Sequence, residues 1–288
     1  VQTKTSARLH IHQEDLAMNP RPHPATRAGV PALRALPRWA GILAASGLTA
    51  CGGGGGSSGG DPTSGGATGA SNDCMSFTLA GTAGTKTVAV LEGTSAGQAG
   101  TVSNTYDWTV LGPAVFEGQS RTATQSTVTT KVLSSGVVTT QTTTDYALID
   151  AASQTITQYG WESSTKVGNA TVTTRFVANP PTVLQKWKLL AGQSLTYSWQ
   201  GTTYTGTASA PLSSSATDRF VGPETITVPA GTYETCRYES VQAAQPNVTI
   251  TYWYVKGTAV AFARMDTVSP TSSTRLEATS ITVNGKKV

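Results

Sequence analysis

Apolar and polar residues alternate with a period of two along most of the chain from residue 126 onward. The runs "STVTTKVL" (126–133), "VVTTQTTTDYALID" (137–150), "QTITQYG" (154–160) and "ATVTTRFV" (170–177) are separated by "SSG", "AAS" and "VGN". Threonine and valine on a two-residue period suit pleated strands, and serine, glycine and asparagine between them suit turns. The later half repeats the pattern. In "ETITVPAGTYETCRYE", Ile226 and Val228 share a face, Pro229, Ala230 and Gly231 supply turn residues, and Cys236 and Tyr238 share a face of the returning strand. "NVTITYWYVKGTAVAFAR" then sets Val248, Ile250, Tyr252 and Tyr254 on one side and Thr249, Thr251, Trp253 and Val255 on the other. Lys256, Gly257 and Thr258 turn the chain, and Val260 and Phe262 return it. No long run has a helical period. Residues 74–288 therefore read as one all-β domain, an antiparallel meander with one dry face, and "ANPP" at 178–181 is the candidate internal break between two half-domains.

The texture is different upstream. Residues 52–73 hold ten glycines and four serines and almost nothing apolar, so they cannot bury enough surface to fold and read as a flexible tether. Residues 39–50 carry no charge, and Arg21, Arg27, Arg34 and Arg38 precede them. Twelve helical residues would rise only about 18 Å against a hydrocarbon core of roughly 30 Å, which marks a cleaved h-region and not a lasting span. Residues 18–50 form a signal peptide in this reading. Residues 1–17 read as an upstream extension ahead of Met18, the better initiator.

Leu48-Thr49-Ala50-Cys51 resembles the lipobox of bacterial lipoproteins. The resemblance implies a diacylglyceryl group on the Cys51 sulfur, cleavage before it and acylation of the freed amine, giving two or three chains where one would hold only marginally. Gly52 in place of an aspartate after Cys51 implies, by the lipoprotein sorting rule, the outer membrane of a cell envelope. The alternative is an ordinary secretory signal with an incidental cysteine.

Removing this leader changes the charge. The chain has 20 Lys+Arg and 16 Asp+Glu, but six of the bases and two of the acids precede Cys51, so the remainder balances at 14 against 14. The basic pI thus belongs to the leader and gives no argument for a nucleic-acid or acidic partner, so no nucleic-acid binding is expected. His10, His12 and His23 also lie in the leader, which takes the commonest general base and metal ligand out of the mature chain, and no cofactor or metal site is expected. With Cys51 lipidated, Cys74 and Cys236 remain as an even pair in an oxidising compartment, where a disulfide is expected; two separated free thiols are the alternative.

The turn at 228–233, Val-Pro-Ala-Gly-Thr-Tyr, and the Trp-Tyr strand with its Lys-Gly turn at 253–257 resemble a diffuse family of uncharacterised exported β-domains of Gram-negative bacteria. That family more often has a second glycine soon after the turn, where this chain has Thr258-Ala259. The resemblance implies a strongly curved antiparallel sheet and no known enzyme activity. The fold expectation is thus a single antiparallel, strongly curved meander sheet, or an open barrel or sandwich.

Catalytic motifs do not hold. Gly93-Thr94-Ser95-Ala96-Gly97 fits G-x-S-x-G but lacks a strand-to-helix turn and a downstream histidine. Ser163-Ser164-Thr165-Lys166 fits S-x-x-K, which needs a helical turn, and reads instead as a polar hairpin end. Asp145 with Asp150, and Glu224 with Glu234, are the carboxylate pairs that a histidine-free hydrolase would use, and strand charges ordinarily face water. Tyr197, Trp199, Tyr252, Trp253 and Tyr254 are the candidate ligand-binding residues, able to line a concave sheet or to fill its core. The reading is a lipid-anchored envelope protein that binds a partner or apolar ligand on a sheet face without catalysis. A structural or surface-interaction lipoprotein, whose edge strands and threonine-rich faces meet other envelope proteins, is the first alternative, and a carboxylate-only hydrolase the second.

Overall fold

The structure, a computed structural model, describes residues 71–95, 101–132, 135–167 and 169–288. Leu48–Cys51 and the tether as far as residue 70 lie outside the described residues. Thirteen strands follow one another: β1 (Lys86–Ser95), β2 (Thr101–Phe116), β3 (Gln119–Val132), β4 (Val138–Asp150), β5 (Thr155–Val167), β6 (Ala170–Leu184), β7 (Ser194–Thr205), β8 (Ala208–Val228), β9 (Gly231–Gln242), β10 (Gln245–Val255), β11 (Phe262–Ser269), β12 (Ser272–Val283) and β13 (Lys286–Lys287). Each pairs antiparallel with the next, as the alternation predicts.

One further pairing decides the shape. β1 also pairs with β12, from Thr87 opposite Val283 to Ser95 opposite Thr274, so twelve strands close into an up-and-down barrel. This corrects the expected open sheet, open barrel or sandwich. Closure removes most of the free edge that the surface-interaction alternative would use, but not its threonine-rich faces. Gly93 sits at this seam because a Cβ there would run into the Arg275 carbonyl oxygen of β12. With Thr94 and Ser95 it belongs to β1, a plain strand and no nucleophile elbow.

Alternation assigns the two faces. Inward on β1 and β2 stand Thr87, Ala89, Leu91, Asn104, Trp108 and Val110, all nearly inaccessible. Inward on β8 to β12 stand Asp218, Phe220, Cys236, Tyr238, Tyr252, Tyr254, Met265 and Leu276. The outer face of the same strands carries a belt of charge. Arg219 meets Glu239 at 3.3 Å, Arg237 meets Glu239 at 3.1 Å, and Arg264 and Arg275 both grip Asp266. Charges outside and aromatics inside reverse the pattern of a membrane-spanning barrel on these strands.

The two ends differ. At one, the chain before β1 folds across the mouth. The Ser71 N–H donates to the Leu189 carbonyl at 2.9 Å, the Gly257 N–H to Asp73 at 3.2 Å and the Ser76 N–H to Thr258 at 2.8 Å. Ser76 caps the short helix α1 (Phe77–Gly81) by accepting from the Leu79 N–H at 3.2 Å, which leaves Phe77 and Ala80 buried against the barrel. Packing of the body therefore begins by Ser71, inside the segment read as tether. Cys74 is bonded to Cys236 of the inner wall, Cα to Cα 5.6 Å, across 162 residues. At the other end, inward residues such as Val128, Thr130, Thr139, Thr165, Thr174 and Ser240 are only half-buried, so water reaches the interior there.

"ANPP" is no domain boundary. β6 runs through it, but its pairing with β7 is confined to Thr174–Ala178, because Pro180 and Pro181 have no N–H to continue the ladder. The wall parts there, and the connection 185–193 turns inward to set Trp187 against Tyr238 and Tyr254 at 5.4 and 5.3 Å between ring centroids.

Several bulges, at Val110/Gly112, Tyr146/Ala147 and Gln158/Gly160 among them, bend the wall near the capped end. The end of the β2–β3 hairpin thereby comes to lie on the outer face, where Phe116 stacks on Tyr146 at 4.3 Å and Arg175 pairs with Glu117. A Cβ at Gly160 would overlap the Phe176 carbonyl oxygen and lie 2.7 Å from Phe116 Cζ. Gly160→Ala is expected to cost about 1 to 3 kcal/mol by overpacking. A urea midpoint equal to that of the parent protein would show that the hairpin does not press on this strand.

Candidate functional site

The candidate site is the inner wall, which has two unlike sides. The first is aromatic and is built by β7 to β10 with the inward-turned connection before β7. Tyr197 and Trp199 stand 5.9 Å apart between centroids on β7, and Tyr252 and Tyr254 stand 5.7 Å apart on β10. Among the five residues expected to bind ligand, these four face inward. Trp253 does not. One step along the strand reverses the face, so its indole lies outside between Arg237 (5.4 Å) and Arg264 (4.3 Å) and donates from Nε1 to Glu224 Oε2 at 3.0 Å.

Set into the aromatic side is a buried ion pair that sequence reading did not find. Lys186 opens a one-turn 3-10 helix, Lys186–Lys188, and its Nζ lies 3.0 Å from Asp218 Oδ2, the side chains being 12% and 2% exposed. The Tyr197 hydroxyl donates to Asp218 Oδ1 at 3.3 Å. The ammonium also lies 5.1 to 5.7 Å from the rings of Trp187, Tyr238 and Tyr254. Burial opposes the Lys186 charge, but attraction to Asp218 and the neighbouring tyrosines leaves its pKa well above the ordinary value. Burial, with Asp218 adding to it, pushes the Tyr197 hydroxyl up, so both tyrosine and lysine hold their protons.

The second side is polar and is built by β3 to β6. Cross-strand pairing places Trp108, Ser126, Thr143 and Ser163 in one row and Val110, Thr124, Asp145 and Trp161 in the next. Ser163 accepts from Gln141 Nε2 at 3.0 Å and from the Thr143 hydroxyl at 3.1 Å. It therefore sits in the body of β5, with exposed Lys166 on the opposite face, and not at a hairpin end as expected.

Asp145 is the unusual member. It is 2% exposed, its Oδ1 accepts from Gln158 Nε2 at 2.9 Å, and among the described residues no ion pair reaches it. Thr124 and Trp161 flank it across the strands and α1 packs nearby on β4, none bringing a charge. Burial raises its pKa to about 7, with the Gln158 hydrogen bond pulling the other way. The sequence expectation of a solvated strand carboxylate is corrected here: Asp145 shares its face with Gln141, Thr143 and Ala147, all buried. The folded state holds this proton more tightly than the unfolded chain does, so the contribution to stability is complete below pH 4 and is lost as pH rises through 7. The three histidines, whose ordinary titration falls in the same window, all precede residue 51. The parent protein should melt higher at pH 5 than at pH 8, and Asp145→Asn should flatten the difference; an unchanged slope in the variant would place the titration elsewhere.

The named carboxylate pairs do not converge. Asp150 is at the β4–β5 turn, where the Ser153 hydroxyl and N–H and the Ala152 N–H hold its pKa below the ordinary value. Glu224 is bound to Trp253 on the outer side, whereas Glu234 is exposed near the start of β9 and lies 3.8 Å from Lys256. Among the described residues no group of three His, Cys, Asp or Glu stands close enough to hold a metal.

Buried inward atoms without a hydrogen-bond partner include Trp187 Nε1 and Thr203 Oγ1 on the aromatic side, and three gather on β1 and β2: Thr87 Oγ1, Trp108 Nε1 and Asn104 Oδ1. Thr87 and Trp108 face each other across β1 and β2, and Asn104 lies four residues along β2, its amide nitrogen donating to the Tyr106 hydroxyl at 3.3 Å. Together with Asp145 they put two acceptors, a donor and a hydroxyl on one stretch of wall, opposite the tyrosines.

The fold and wall define a closed barrel with an amphiphilic interior, capped at one end. No family model matches the chain, and no curated protein matches it. A search of solved structures finds a similarity to a β-barrel-like protein of a domain of unknown function, DUF1849, from Brucella abortus. Its TM-score is 0.41 at 10% identity, over 70% of this chain and 98% of that one.

Proposed function

We propose that this chain is a lipid-anchored protein of the bacterial cell envelope whose barrel holds a small amphiphilic molecule in its interior without transforming it. The observation that carries the reading is the cluster of unpartnered polar atoms, Thr87 Oγ1, Trp108 Nε1 and Asn104 Oδ1, gathered on β1 and β2 beside the hydrogen-bonded polar side of the wall. Buried polar groups are paired in native proteins, by protein atoms, water or ligand. A molecule entering from the uncapped end would meet the half-buried threonines first, then the donors and acceptors of β2 to β5, with its apolar body against Tyr252, Tyr254 and Trp199.

The anchor rests on Leu48–Cys51, and the outer membrane on Gly52. Native mass spectrometry of the protein extracted from its own membrane should show a retained small molecule above the mass of the lipidated chain. Bare lipidated protein, together with failure to take up the neutral fluorophore N-phenyl-1-naphthylamine, would end the ligand reading. Anchoring is separate: Cys51→Ser is expected to leave the membrane fraction after a high-salt wash. Continued co-fractionation of the serine variant would mean that something other than the Cys51 lipid holds it.

A further inference from the structure

The inward charges of the barrel do not cancel. Among the described residues the charged side chains turned into it are Lys186, Asp218 and Asp145. Lys186 and Asp218 neutralise each other at 3.0 Å, which leaves Asp145 with one neutral donor, Gln158, and no cation. A buried carboxylate in an apolar medium either keeps its proton or finds a positive partner. Among the described residues none reaches it. Trp161 stands directly across the strand from Asp145, and Phe176 directly across from Trp161, with 5.8 Å between the two ring centroids. A carboxylate bordered by aromatic faces is the pairing that receives an organic ammonium, whose charge meets the oxygens while its C–H surface meets the rings.

We propose that Asp145 anchors the head group of the interior ligand and that this ligand is a basic amphiphile, an apolar body bearing a protonated amine. The assignment rests on the interior-ligand reading above and sharpens it to one chemical class. Trp108 Nε1 and Asn104 Oδ1, both on β2 and two strands from Asp145, would serve a polar group next to the amine, and the tyrosines opposite would cover the body. Anionic amphiphiles are disfavoured because Lys186, the inward cation, is already bound to Asp218.

The test is displacement of N-phenyl-1-naphthylamine from the full chain by octylammonium, 1-octanol and octanoate, which share an apolar body and differ in the head. At pH 8 octylammonium should displace the probe at concentrations at least tenfold below those of octanol, with octanoate weakest. At pH 5, where Asp145 holds its proton, the advantage should shrink toward that of octanol, octylammonium itself staying charged. Asp145→Asn should abolish the advantage at pH 8, and Asp266→Asn, an acid on the outer face, should preserve it. The wild-type comparison does not depend on any variant folding. Equal displacement by octylammonium and octanol would overturn the amine assignment while the interior-ligand reading stood, whereas no uptake of the fluorophore would remove both.

Discussion

Replacing Lys186 with methionine while Asp218 remains is expected to destabilise the barrel by about 3 to 5 kcal/mol. The Asp218 side chain is 2% exposed, and the ammonium 3.0 Å away is its one counter-charge among the described residues. Without it the carboxylate keeps a single weak donor, the Tyr197 hydroxyl at 3.3 Å, and its desolvation is no longer offset. The methionine fills nearly the same volume between Trp187, Tyr238 and Tyr254, so the loss would measure charge and not a cavity. Lys186→Met with Asp218→Asn should recover most of the stability, because a buried pair replaced by neutral groups often costs little. Urea denaturation of the two single variants and the double variant forms the cycle. If the double variant is as unstable as the sum of the singles, the two groups do not act as a pair.

Loss of the Cys74–Cys236 bond is the second large effect, expected to be about 2 to 5 kcal/mol, a sizeable share of a typical total of 5 to 15. The bond closes 162 residues, for which chain entropy alone gives a ceiling of roughly 5 kcal/mol. Its location adds a structural consequence. Cys236 is on the inner wall, and Cys74 belongs to the segment that closes the barrel mouth, so the bond fastens the cap from within. Cys236→Ser should lower the melting temperature and raise amide exchange first over residues 71–81. Non-reducing peptide mapping of the protein from cells should recover the two cysteines in one cross-linked peptide. Both thiols open to alkylation in the folded, unreduced protein would refute the pairing.

Much of this fold was readable because strand alternation is a property of the local backbone. The turn at Pro229 and Ala230, the shared face of Cys236 and Tyr238, and the opposition of Trp253 to Tyr252 and Tyr254 follow from a two-residue period and hold in the barrel. Cysteine arithmetic likewise pointed to Cys74 with Cys236. Asp145 was legible in part: its face also carries Gln141, Thr143 and Ala147, and the small apolar Ala147 was a hint of burial inside a run that otherwise looks wet on both sides. Lys186 left no such signal, since it stands in a short connection between strands where a lysine is ordinary. The parting of the wall that draws it inward comes from Pro180 and Pro181 denying β7 a ladder partner, which at the level of sequence looked like a domain break.

By itself the sequence determined the strands, their two-faced alternation, the sulfur pair, the histidine-free body and the lipobox-like Leu48–Cys51. Only the tertiary structure decided which face became the interior, that the sheet closed, and which charges lost their water. The physical reason is distance along the chain. Alternation is set by neighbours two residues apart, whereas closure joins Thr87 to Val283 and burial of Asp218 requires a lysine 32 residues upstream to turn in beside it. An isolated strand exposes both faces equally, and it is the curvature of twelve paired strands that puts Tyr252, Asp145 and Asp218 inside and leaves Asp266, and Trp253 beneath Arg237 and Arg264, on the outer face.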